Sequence, residues 1–237
     1  MSEVAIVTGG TGSIGAAICA ELQARGAMVV VADSDLRAVP DGQTLVQCDV
    51  TSPASLRQMF DRASALGKVK SLVAAHGILA DTPAGGADLD TVSRVIDVDL
   101  KGVAYLCDLA GSTLAEGGAI VLMSSISAFM GRVQNGYAYQ ASKAGVEALT
   151  QVFAVAYGPR RIRVNCIAPG FMTAPMKGPG AKMRERQGGN ETVVKTIPLG
   201  RLIAPEEVAK ATAFLCSKDA AAITGVVLPI DGGQRAF

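Results

Sequence analysis

Hydrophobic positions in this chain follow two rhythms that take turns. Short apolar runs, Val4 to Val7, Met28 to Ala32, Thr44 to Cys48, Val69 to Ala75, Ala119 to Met123, Ile162 to Ile167 and Val226 to Ile230, read as strands. Between them lie stretches of helical spacing: Ala16 to Arg25, Ser52-Pro53 to about Leu66, Asp90 to about Leu114, Tyr137 to Tyr157, and Glu206 to Cys216. Ser before Pro supplies both an N-cap and a first helical residue. The segment from Ala168 to Leu202 breaks the rhythm with four prolines and six glycines, and reads as an irregular lid. Strands that alternate with helices predict an α/β protein, a seven-stranded parallel sheet flanked by helices in a single domain over residues 1–237. Ligands of such sheets bind at the carboxyl ends of the strands.

Composition adds exclusions more than features. At 49% hydrophobic residues the 237-residue chain is expected to fold around a substantial core. Twenty-two Lys and Arg against 21 Asp and Glu give a net charge of +1, without the basic surplus that nucleic-acid binding needs. Met1-Ser2-Glu3 runs straight into the first strand, so neither a secretory leader nor a membrane anchor is expected. Cys19, Cys48, Cys107, Cys166 and Cys216 are odd in number, mostly in apolar surroundings and form no C-x-x-C, which points to free thiols in the cytoplasm. His76 is the only histidine, which argues against a His-rich zinc site and a Ser-His-Asp triad. No G-K-[ST] follows the glycine turn, so the pattern is not a phosphate-hydrolysing P-loop.

That turn, Thr8-Gly9-Gly10-Thr11-Gly12-Ser13-Ile14-Gly15, joins the first strand to the first helix. Gly10, Gly12 and Gly15 spell G-x-G-x-x-G, and Asp33 ends the second strand. Glycines let backbone approach a pyrophosphate, whose charge rests on the N–H groups of a helix N-terminus. An acid at the second strand's tip accepts the ribose hydroxyls of NAD and repels the 2′-phosphate of NADP. The strand–turn–helix–strand–acid order predicts a Rossmann-type dinucleotide site. NAD is preferred over NADP, since the turn holds no Lys or Arg and only Arg37 lies near Asp33.

Tyr139 and Lys143 stand four apart on a long helix, one turn from each other. Bringing a phenol near neutrality means stabilising phenolate by about three pKa units, roughly 4 kcal/mol. A neighbouring ammonium and the positive ring of an oxidised nicotinamide supply charge of the right sign. Ser125 follows the strand Ala119–Met123 and can hold a substrate oxygen beside the phenol.

On these residues the chain resembles the classical short-chain dehydrogenase/reductase family from end to end. The likeness rests on Thr8–Gly15, Asp33, Asp49-Val50, Ser125, Tyr139/Lys143, Arg163-Val164-Asn165, Pro169-Gly170 with Thr173, and Asp231-Gly232-Gly233. The resemblance implies that Tyr139 is the acid/base, that Ser125 polarises the oxygen, and that Lys143 lowers the phenol pKa and binds the nicotinamide ribose. It implies cofactor contacts at Gly9, Thr11, Gly12, Ser13, Ile14, Gly15, Asp33, Asp49, Val50, Ala75, Gly77, Tyr139, Lys143, Pro169, Gly170 and Thr173. Three positions depart from the family pattern. Ser13 replaces a glycine, Ala74-Ala75-His76-Gly77 stands where N-N-A-G is usual, and Asp99 replaces an Asn whose backbone carbonyl holds a relay water. Val95, Ile96 and Val103 lie at i−4, i−3 and i+4 from Asp99, so a carboxylate sits on an apolar stripe. It is expected to be buried, paired with Lys143 and part of the catalytic group. The competing reading is an exposed helix acid.

Ser124 and Ser127 are fallback candidates for the polarising hydroxyl. Ser127, Phe129, Met130, Gln134 and Asn135 are expected along one wall of the substrate pocket, and Phe171, Met172 and Met176 along the lid. Apolar walls suit a medium-sized secondary alcohol or ketone. Lys177, Lys182, Arg184 and Arg186 are read as a solvated face or as a grip on the phosphates of an acyl thioester. A 3-oxoacyl-thioester reductase and a non-catalytic dinucleotide sensor are therefore the alternatives. Ala141, Ala144, Gly145 and Ala148 form a stripe of small residues, and by resemblance that face packs against a second copy in a homotetramer or homodimer; close packing within one chain competes. No metal is expected.

Overall fold

Alternation along β1 (Glu3–Thr8) sorts the protein into layers, because successive side chains leave opposite faces of a strand. Val4 and Ile6 join one buried cluster, while Ala5 and Val7 join another across the sheet. The computed structural model describes residues 2–36, 39–131, 136–174 and 189–236. Six further strands complete the sheet: β2 (Met28–Asp33), β3 (Gln43–Gln47), β4 (Lys68–Ala74), β5 (Ala119–Met123), β6 (Arg163–Pro169) and β7 (Val227–Ile230). All pair in parallel, in the order β3-β2-β1-β4-β5-β6-β7. The chain builds outward from β1 to β3 and then returns to lay β4 against the other side of β1. The reversal opens a crevice at the carboxyl ends of those two strands.

Helices α1 (Ser13–Ala24) and, near the C-terminus, α7 (Pro205–Cys216) cover one face through Ile18, Leu22, Val208 and Leu215. On the other face α2 (Pro53–Leu66), α4 (Gly102–Thr113) and α5 (Tyr137–Tyr157) bury Leu56, Phe60, Leu106 and Val146. Ser52 caps α2 by accepting the Ser55 N–H at 3.3 Å. The Arg163-Val164-Asn165 motif is structural. Arg163 donates to the carbonyls of Leu215 and Ser217 at the end of α7, and Asn165 bonds Ile223 and Val226 beside β7.

Two elements differ from the pattern's expectation. The long helix from Asp90 is divided into α3 (Leu89–Ile96) and α4 by a π-helical turn over Asp97–Lys101. The widened turn carries Asp99 inward, where Oδ1 accepts the Ile78 N–H at 2.7 Å. The segment expected to be an irregular lid opens as strand, since β6 runs through Pro169, and its described part contains a short helix, α6 (Gly189–Val194).

Candidate active site

The carboxyl ends of the strands frame a crevice of about 1360 Å³. The turn after β1 forms its floor. Gly9 has φ +68°, and a Cβ there would stand 2.5 Å from the His76 Cα; one on Gly15 would stand 2.1 Å from the Gly9 carbonyl oxygen. A Cβ on Gly10 would stand 2.7 Å from Val31 Cγ1, so Gly9, Gly10 and Gly15 are all closely fitted, whereas a Cβ on Gly12 would meet its nearest atom at 3.2 Å. Neither a side-chain cap nor a first-turn acid occupies the N-terminus of α1, so its N–H groups face the crevice as an anion site. Asp33, at the end of β2, accepts the Thr11 N–H at 3.1 Å, the Thr11 hydroxyl at 2.8 Å and the Asp35 N–H at 3.2 Å. About four lone-pair sites on a carboxylate leave room for a ligand hydroxyl. Asp49 holds the loop after β3 by accepting the Thr51 N–H at 2.9 Å and its hydroxyl at 2.7 Å.

Helix α5 crosses behind β5 and brings Tyr139 and Lys143 to the crevice, both buried. The N-terminus of α5 is set by a distant residue. Thr82 is fully buried, its Oγ1 accepts the Ala138 N–H at 3.2 Å, and its carbonyl accepts the Tyr137 N–H at 3.1 Å. Tyr139 shares a small hydrophobic cluster with Val95 and Ala138, against which Ile78, Leu79, Ala80 and Val92 pack. Lys143 Nζ lies 5.5 Å from the ring centroid of Tyr139, donates to the Met123 carbonyl at 3.2 Å and stands 3.6 Å from Asp99 Oδ2. Burial pushes the Tyr139 phenol up; Lys143 opposes this, Asp99 reinforces it and the Ser125 hydroxyl opposes it, leaving the phenol above its ordinary value. Burial pulls the Lys143 ammonium down, but Asp99 and Tyr139 outweigh it and leave the ammonium raised. Ser125 opens the turn Ile126–Ala128 and accepts the Ser127 N–H at 3.2 Å, while Ser124 bonds Glu147 at 2.7 Å. The Ser124 hydroxyl is thus engaged by Glu147 and the Lys143 carbonyl, whereas the Ser125 hydroxyl interacts with the phenol.

A family profile described as enoyl-(acyl carrier protein) reductase matches residues 9–235. The chain belongs to the short-chain dehydrogenase/reductase (SDR) family. Cis-4-hydroxycyclohexanecarboxylate dehydrogenase of Sinomonas cyclohexanicum is 41% identical, with 98% of this chain and 96% of that protein covered. D-threitol dehydrogenase of Mycolicibacterium smegmatis is 35% identical over 98% of this chain and 92% of its own. A short-chain dehydrogenase family protein of Francisella tularensis superposes with a TM-score of 0.88 at 24% identity, covering 100% of both chains, and shares the fold. The protein is therefore an SDR oxidoreductase of the alcohol dehydrogenase/ketoreductase type, a family that uses NAD or NADP.

The SDR crevice fits such a dinucleotide: a close-approach turn, free helix N–H groups and an acid at the tip of β2 lie along one wall. Gly9, Thr11, Gly12, Ser13, Ile14, Gly15, Asp33, Asp49, Val50, Ala75, Gly77, Pro169 and Gly170 all line it, as do Ser125, Ser127, Tyr139, Lys143 and Phe171. Thr173 does not. It is exposed, its N–H donates to the Ile203 carbonyl at 2.8 Å, and Ala174 lines the crevice in its stead. Phe129 also lies away from the crevice, beneath the Arg235 guanidinium at 3.3 Å from the ring centroid. Asp99 sits behind Lys143, wholly buried. Gln134 and Met176 lie outside the described residues, as do Arg37, Asn135, Lys177, Lys182, Arg184 and Arg186.

His76, which the sequence left open between the cofactor site and a plain strand end, lines the crevice, and sequence reasoning missed Ile78, Leu79 and Ala80. The apolar run after Gly77 was the available signal for the latter. His76 Nδ1 stands 2.6 Å from Thr8 Oγ1, and burial, helped by Lys143, pushes the imidazole down to about 3. Among the described residues no group of three side chains suits a metal, and no helix is long and apolar enough to cross a membrane.

Proposed function

We propose that this SDR enzyme uses NAD(H) to interconvert a medium-sized, largely apolar secondary alcohol and its ketone. The observation that carries the reading is that buried Tyr139 and Lys143 and half-buried Ser125 gather at the carboxyl end of β5 beside the glycine turn. In oxidation Tyr139 Oη takes the proton from the substrate hydroxyl, and Ser125 Oγ steadies the oxygen as its charge develops. The Lys143 ammonium favours the phenolate form of that base. When bound, the nicotinamide supplies the two-electron chemistry, accepting hydride in oxidation and donating it in reduction. Asp33 supports NAD over NADP, because its carboxylate repels a 2′-phosphate and no cation occurs in residues 8–15.

Ile78, Leu79, Phe171, Met172 and Ala174 give the substrate end an apolar lining, which favours a ring-sized alcohol. The relative named for a hydroxylated cyclohexane ring points the same way. Residues 168–202 serve as the lid of a single domain. Paired bonds from Thr173 to Ile203 and from Ile203 to Phe171 tie its base. All five cysteines are free, which favours the reducing cytoplasm. The exposed face of α5 supports association into a homotetramer or homodimer. A second reading, reduction of a 3-oxoacyl thioester, is favoured by a relative from Rickettsia conorii named 3-oxoacyl-[acyl-carrier-protein] reductase, 33% identical over 98% of this chain and 96% of its own.

A panel of cyclic and open-chain secondary alcohols, ketones and 3-oxoacyl thioesters, assayed with both cofactors by absorbance of the reduced nicotinamide, tests substrate and cofactor together. Tyr139→Phe should bind cofactor as the wild type does and lose about 10²–10⁴-fold in turnover. Unchanged turnover in that variant removes the proposed mechanism.

A further inference from the structure

We propose that Asp99 is a positioning residue which, through a buried pair with Lys143, opposes ionisation of Tyr139 and so sets the pH at which the enzyme oxidises alcohols. The inference rests on Tyr139 as the proton-transferring group.

The geometry leaves the carboxylate little freedom. Asp99 lies in the π-helical turn with no exposed surface, and the Ile78 N–H holds Oδ1 at 2.7 Å. Oδ2 has no hydrogen-bond partner and stands 3.6 Å from Lys143 Nζ, so it acts on the ammonium by charge. Gly77 closes the pair off. A Cβ there would stand 3.1 Å from Lys143 Nζ and 3.3 Å from Asp99 Oδ2. Burial pushes the Asp99 carboxyl up, opposed by Lys143 and the Ile78 N–H. The ammonium 3.6 Å away and the Ile78 N–H both favour the charged form of the carboxylate, and the carboxylate in turn favours the charged form of the ammonium.

Among the described residues the titratable groups around Tyr139 and Lys143 are few. Lys143 comes from α5 itself, Asp99 from the π-helical turn, His76 from the end of β4 and Cys166 from β6. The imidazole, pushed down to about 3, is neutral across the working range, and the Cys166 thiol, pushed up to about 12, stays protonated. Among the described residues only the ammonium and the carboxylate bring charge to the phenol, and they bring opposite charges. A lone ammonium would favour phenolate with its full field; paired, it offers the difference between two opposed fields. Removing the carboxylate therefore lowers the pH at which Tyr139 can act as a base.

The test is the pH dependence of kcat/KM for alcohol oxidation. Asp99→Asn removes the charge and keeps an oxygen for the Ile78 N–H. Its rising limb should move to lower pH by about one unit, raising activity near neutrality up to roughly tenfold while the alkaline plateau changes little. Asp99→Ser carries the same expectation and serves if the Asn variant does not fold. Asp99→Glu, which keeps the charge, should keep the wild-type limb. Superimposable limbs for wild type and the neutral variants, an equal loss at every pH, or a Glu variant that follows the neutral ones would each overturn the proposal. An active Tyr139→Phe would instead overturn the underlying assignment of the base, so the two failures are distinguishable.

Discussion

At the scale of single residues, His76 shows how a contact across the sheet changes the meaning of a side chain. In the sequence it is one imidazole at a strand end. In the structure its ring meets Thr8, which lies 68 positions earlier, and its backbone rests on Gly9. Nothing in local pattern encodes that meeting, because it arises from the pairing of β1 with β4. The motif residues are different: Gly15, Asp33, Tyr139 and Lys143 were legible because each type is demanded by chemistry at a fixed spacing. Burial gives His76 a measurable signature. Its folded pKa, about 3, lies below the ordinary 6.5, so above pH 6.5 the ring is neutral in both states and costs nothing. As pH falls, the unfolded chain takes up the proton first and stability is lost. The loss should reach about 2 kcal/mol by about pH 5 and approach about 5 kcal/mol near the folded pKa. His76→Asn should lack this part of the acid dependence. Thermal melts of both proteins between neutral and mildly acid pH check it; parallel curves would mean that His76 is accessible to protons in the folded state.

At the scale of elements, hydrophobic period located every strand and the main helices, because each buries a face whose spacing is fixed by its own geometry. Period did not reveal the π-helical turn. Residues 89–113 carry a helical pattern on both sides of it, and the extra backbone residue is explained by Asp99 reaching Ile78 and Lys143. Nor did it reveal what starts α5. Gly136, at φ +69°, has no side chain to cap the helix, and Thr82 supplies the acceptor from 56 positions away. A Cβ on Gly136 would stand 2.5 Å from Thr82 Oγ1, so glycine and threonine are fitted to each other. Thr82→Val keeps the shape but leaves the Ala138 N–H buried without its acceptor. We expect a loss of about 1–2 kcal/mol in stability. Because Tyr139 stands one residue beyond Ala138, turnover should fall roughly tenfold to a hundredfold, with cofactor affinity little changed since the glycine turn is untouched. Melting, turnover and cofactor titration of the variant separate these effects. Wild-type turnover in a destabilised protein would show that the first turn of α5 does not position the phenol.

At the scale of the whole molecule, alternating elements specified the doubly wound sheet because parallel strands need crossovers, and crossovers of one hand permit few orders. What the pattern could not separate is which side of α5 meets its own chain. The small-residue stripe divides on this point. Gly145 packs inward, since a Cβ there would stand 2.7 Å from Leu100 Cδ1, whereas Ala141, Ala144 and Ala148 are exposed. The same exposed side continues through Val152 and Val155, at 61% and 80% exposure. Small residues followed by bare valines on a helix that also carries Tyr139 and Lys143 form a surface suited to a second copy of itself, the arrangement expected of a two-fold contact. Val155→Asp places a charge on that surface and touches nothing in the 24.2 kDa chain's own core. Light scattering should give a wild-type mass of at least two chains and a variant mass lower by about half or more. The concentration dependence of the melting temperature should weaken with it, because association stabilises the fold by mass action. A wild-type protein that runs as a single chain at assay concentration would leave this face of α5 without a partner.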